Sequence, residues 1–182
     1  IETQRRLALC LRQLGEADRA EQLLKPLTTH SNPEIRGTSL SDLGLLKTHY
    51  RRLGELSLPA DRADTRQLSD RIECGVSEFE QAISLPLFQA PHAHFALGVR
   101  AFLAEDYLTA RTHFDYALSW FSGRPSVYQI DGALELARLY LGLSIVLSLD
   151  TTSALERACD LISTGLDGGA RLVPWLVRST IE

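Results

Sequence analysis

Methionine is missing from all 182 residues, asparagine occurs only at Asn32, and lysine only at Lys25 and Lys47. With Ile1 as its first residue, a chain without methionine reads as a piece of a longer protein. The bias of positive charge toward arginine suggests a GC-rich, bacterial coding sequence; it carries no structural weight. Cysteine is scarce: Cys10, Cys74 and Cys159 are far apart and odd in number. That excludes a disulfide framework and a zinc knuckle, and it fits a reducing, cytoplasmic compartment.

Long apolar runs are also lacking. The nearest approach, "LYLGLSIVLSL" at 139–149, falls short of the roughly 18 residues a spanning helix needs, so no membrane is expected. A net charge of −4 and a pI near 5.8 argue against a phosphate-binding surface, and no direct contact with nucleic acid is expected. Nor is there a Gly-x-Ser-x-Gly motif, a glycine loop that could cradle phosphate, or a cysteine in a recognisable relation to a histidine. No catalytic residue and no cofactor is therefore assigned. Cys10 and Cys159 fall on apolar helix faces and are expected to pack as small buried hydrophobes.

What the chain does have is helical spacing. It is 45% hydrophobic and 23% charged, enough for one domain over 1–182 with a continuous core. In "LGVRAFLAEDYLTARTHFDYAL", residues 97–118, Gly98, Ala110, Phe114 and Ala117 stand at gaps of twelve, four and three. The same gaps occur at Ala8, Ala20, Leu24 and Leu27, and at Gly142, Ala154, Ala158 and Leu161. A looser copy uses Gly44 with Gly75, Phe79 and Ala82, its first gap lengthened by nineteen residues. Gaps of three and four share a helical face, and small residues let two helix axes approach closely. Each copy predicts a helical hairpin.

These residues resemble the tetratricopeptide repeat family: Leu97-Gly98, Asp106-Tyr107, Ala110, Phe114 and Ala117, and, in the first copy, Leu7-Ala8, Gly15, Ala20, Leu24 and Leu27 followed by Pro33. The fourth copy lacks its aromatic. The resemblance implies an all-α, right-handed solenoid of about four hairpins, with one elongated hairpin and a C-terminal capping helix. The pairs read as 2–14 with 17–28, 34–54 with 60–85, 91–104 with 107–121 and 127–149 with 152–166, and the cap as 171–180, containing Trp175. Strand-like alternation is absent.

The elongated pair departs from the family. Its helices meet around "LGELSLPADRAD", with alternating charge and an apolar stripe of Leu68, Ile72, Val76, Phe79 and Ile83. Two readings stay open: a self-packed hairpin, or an arm that docks a partner or a second copy. The helix at 139–149 is apolar on nearly all sides, which means burial or self-association, so the homodimer to look for is one through the 50–75 arm or through this helix.

In this family the first helix of each repeat lines a concave groove. That implies a partner-binding surface of Arg5, Leu9 and Arg12, then Leu45 and Thr48, then Phe95, Val99 and Phe102, grading from basic to apolar. A peptide with acidic residues and an aromatic or aliphatic anchor fits it. The chaperone-tail carboxylate clamp does not, because Asn32 is in a loop. His92 and His94 in "APHAHF" could suggest a metal, yet an i, i+2 pair on a helix points apart, and no metal is expected. His113, between Arg111 and Asp115, reads as a surface residue. The function expected is an interaction scaffold binding a protein or peptide, not an enzyme; the alternative is a sensor or regulatory module of a larger bacterial signalling or transcription-regulatory protein.

Overall fold

A computed structural model describes residues 2–49, 56, 62–86, 89–123, 132–148 and 152–167. Among them are nine α-helices, one 3₁₀ turn and no strand, so the chain is all-α. The helices are α1 (Glu2–Gln13), α2 (Ala17–Leu24), α3 (Pro33–Lys47), α4 (Arg62–Glu73), α5 (Val76–Ile83), α6 (Pro91–Leu103), α7 (Tyr107–Ser122), α8 (Ala133–Leu147) and α9 (Thr152–Asp167). The 3₁₀ turn, Lys25–Thr29, continues α2 at Pro26, whose ring cannot stay in an α-helical ladder. The expected cap at 171–180 lies outside the described residues.

Local chemistry places the ends. Pro33 occupies the first turn of α3, where its missing N–H costs nothing, and the Asn32 side chain accepts a hydrogen bond from the Glu34 N–H. Asp106 caps α7 by accepting from the Thr109 N–H. Helices α1 and α6 end on the same two hydrogen bonds: Gly15 N–H to the Arg12 carbonyl with Glu16 N–H to Leu11, and Glu105 N–H to Phe102 with Asp106 N–H to Ala101. Both turns need a left-handed residue, Gly15 at φ 82° and Glu105 at φ 63°.

Packing joins α1 to α2, α3 to α5, α6 to α7 and α8 to α9, and α7 also lies against α8. Three of these contacts are made by glycines with no room for a side chain. A Cβ on Gly44 would stand 2.6 Å from the Phe79 ring, one on Gly98 2.8 Å from Phe114, and one on Gly142 2.6 Å from Ile162 and 2.9 Å from the Ala158 carbonyl. In the α1–α2 pair the close approach is made instead by Ala8 and Ala20, both fully buried beside Leu24 and Leu27. Ala82, Ala110 and Ala117 are likewise fully buried, and Ala154 partly so.

The long second pair is corrected in two respects. Helix α3 stops at Lys47, short of the expected end at 54, with His49 in the left-handed region at φ 60°; residues 50–54 lie outside the described residues. The run expected at 60–85 breaks at Cys74-Gly75 into α4 and α5, at the point where Gly75 meets the Gly44 backbone. The stripe Leu68, Ile72, Val76 and Phe79 is buried, and Ile83 packs against the same core. Most of the presumed arm tip lies outside the described residues. Leu56, within it, is fully buried, and its carbonyl accepts a 2.7 Å hydrogen bond from the Tyr140 hydroxyl. A leucine gains more from the core than from solvent.

Candidate functional site

The groove expected from the first helices is not an open surface. Thr48, Phe95 and Val99 are 0% exposed and Leu45 and Phe102 are 4% exposed. Phe95 and Phe102 are covered by Tyr140 on α8, whose ring stacks on Phe114 at 4.9 Å and stands edge-on to Phe102 at 5.2 Å and Phe95 at 6.2 Å. Leu56, Leu68 and Ile72 join the same cluster. Apolar side chains that could have gripped a peptide are used to hold the fold.

At the basic end, Arg5 donates through Nε to Asp42 Oδ2 at 2.7 Å, tying α1 to α3, so its charge is already matched. Arg12 and Leu9 are half-buried on α1. The helix expected to self-associate is buried from Ala133 to Ile145 apart from half-buried Arg138, so its apolar surface is consumed within the chain. Cys10 and Cys159 are exposed, as is Cys74, contrary to the expectation of buried thiols. Each is turned about 100° round its helix from the buried residue beside it, Leu11 and Ala158.

An open cleft lies elsewhere, between α4, α5, α6 and α7. It encloses about 310 Å³ over an apolar floor that includes Ile83, Leu97 and Ala101. Its polar wall carries Glu73, Glu80, Arg100, Asp106, Thr109 and His113. Arg100 Nε donates to Glu73 Oε1 at 2.5 Å, which holds the guanidinium above its usual pKa and leaves the remaining cleft charge acidic. Hydrogen bonds from the Thr109 hydroxyl and amide lower the Asp106 pKa, so that carboxylate is charged at neutral pH.

His113 is half-buried, not a free surface group, and its Nδ1 meets His94 Nδ1 across the α6–α7 pair at 2.9 Å. The His94 ring also lies on Tyr116, with centroids 4.0 Å apart. Burial lowers the pKa of His113 against an opposing pull from Asp106. Burial, aided by the His113 charge, brings His94 down to about 4. Both rings are therefore neutral at pH 7, one giving and one accepting the shared hydrogen bond. Sequence reasoning weighed His94 with His92, its neighbour along the helix; the partner nineteen residues on is brought near only by the hairpin.

Among the described residues no group of three or more His, Cys, Asp or Glu side chains is placed to hold a metal ion, and no helix is long and apolar enough to cross a membrane. No protein-family model, curated protein or solved structure matches the chain.

Proposed function

We propose that this chain is a short right-handed α-solenoid of the tetratricopeptide type, working in the cytoplasm as a scaffold that holds a protein segment and performs no chemistry. The repeat reading is supported by the glycine-to-phenylalanine contact in two successive pairs and by the twice-used turn at 11–16 and 101–106. Three exposed free thiols fit a reducing compartment.

The observation that carries the binding reading is the cleft. An apolar floor ringed by Glu80, Asp106 and the Glu73–Arg100 pair suits a lysine or arginine side chain, whose methylenes lie on the floor while its charge reaches the carboxylates. An acidic ligand with an aromatic anchor, the partner expected from the sequence, would find Arg5 engaged and Phe95 and Phe102 buried.

Selection of displayed random peptides on the folded chain tests this reading. Enriched peptides should carry a basic residue, bind more weakly as salt rises, and lose about tenfold in affinity on Glu80→Lys. Peptides without a basic residue, or indifferent to Glu80→Lys, would refute the cleft as the docking site.

A further inference from the structure

His94 and His113 meet from different helices, each presenting Nδ1 to the other at 2.9 Å. Two nitrogens that close also have the bite of a chelate. Zinc binds histidine nitrogen at about 2.0–2.1 Å, so an ion equidistant from both would see them at about 90°, as adjacent ligands of an octahedron. Opening the pair by about 0.4 Å would give the tetrahedral angle.

We propose that His94 and His113 form a two-point chelate for a divalent transition-metal ion of the zinc class, pinning α6 to α7, with solvent completing the coordination. The inference does not depend on the scaffold reading.

A metal binds imidazole through a ring nitrogen free of hydrogen, and the shared hydrogen bond already needs one of the two Nδ1 atoms in that state. Binding needs no proton release, because the ring that carries hydrogen on Nδ1 has only to move it to its own Nε2, freeing the second lone pair. The surroundings attract a cation: Asp106 acts electrostatically on His113, and Glu73 and Glu80 line the cleft that His113 also lines, while Arg100, among the described residues there, is matched by Glu73. Tyr116, whose ring lies on His94, is uncharged. Imidazole suits zinc, copper and nickel, so zinc is the probe for a site without thiolates.

Zinc titration should be done by calorimetry on untagged protein carrying Cys10→Ser, Cys74→Ser and Cys159→Ser, because three exposed thiols would compete. One ion per chain is expected, bound at least tenfold more weakly, as an order of magnitude (~10-fold), in His94→Gln and in His113→Asn, and equally well in His92→Gln. In the same background with its histidines intact, imidazole ¹⁵N resonances of His94 and His113 should move together on adding zinc, while those of His30, His49 and His92 stay. This second readout does not depend on the variants folding. Equal zinc affinity in His94→Gln and His113→Asn, or no movement of those two resonances in millimolar zinc, would overturn the chelate and leave a hydrogen-bonded pair.

Discussion

Gly98 has space for a hydrogen and little else, since a Cβ would fall 2.8 and 2.9 Å from two atoms of the fully buried Phe114 ring. Gly98→Ala should therefore cost about 1–3 kcal/mol in overpacking against roughly 1 kcal/mol of helix propensity that alanine brings, a net destabilisation of up to about 2 kcal/mol. A lower urea midpoint at unchanged slope would show it; an unchanged or raised midpoint would mean that the ring moves aside freely. Gly15 is needed for the opposite reason: nothing lies within 4 Å of its missing side chain, but its φ of 82° is left-handed. Its counterpart Glu105 accepts the same conformation without being glycine. The residue type alone cannot separate steric need from backbone need, and the exposed Cys10 and Cys159 show the same ambiguity on amphipathic helices.

At the scale of the element, the α6–α7 pair contains a pH-sensitive contact. His94 is lowered from 6.5 to about 4 and His113 is lowered as well, so the unfolded chain binds more protons than the native one as acidity rises through that interval. Stability from the pair is complete above about pH 6.5, declines as the pH falls below it, and is fully lost once the pH drops below about 4. Urea midpoints measured from pH 8 to pH 4 should fall more steeply for the wild type than for His94→Gln; parallel curves would exclude the pair as the source. Helix pairs of this kind were legible from spacing, and so were their turns. The break at Cys74-Gly75 was not, because an unbroken apolar stripe from Leu68 to Ile83 carries no mark of the backbone contact between Gly75 and Gly44.

At the scale of the whole molecule, Tyr140 joins parts of the chain that lie far apart in sequence. Its ring packs on α6 and α7, and its hydroxyl reaches the carbonyl of Leu56, eighty-four residues away. Tyr140→Phe keeps the ring but leaves that buried carbonyl without this donor, an expected loss of about 1–3 kcal/mol. Hydrogen exchange should read the loss at α8; if stability and exchange are unchanged, the hydroxyl bond contributes nothing net. This junction is also what turns the presumed groove into core. Phe95, Val99 and Phe102 lie on the helix face expected from their spacing, yet that face is covered from within the chain.

Local pattern was enough for the all-α class, the close approaches at Gly44, Gly98 and Gly142, and the turns after α1 and α6, because helical period, residue size and capping act over a few neighbouring residues. Tertiary structure alone decided which faces remain open. The burial of Leu56, the burial of Phe95 and Phe102 against Tyr140, the acidic cleft and the meeting of His94 with His113 all join residues far apart in the chain. Such pairings follow from how the hairpins pack on one another, and no local pattern of residues records that.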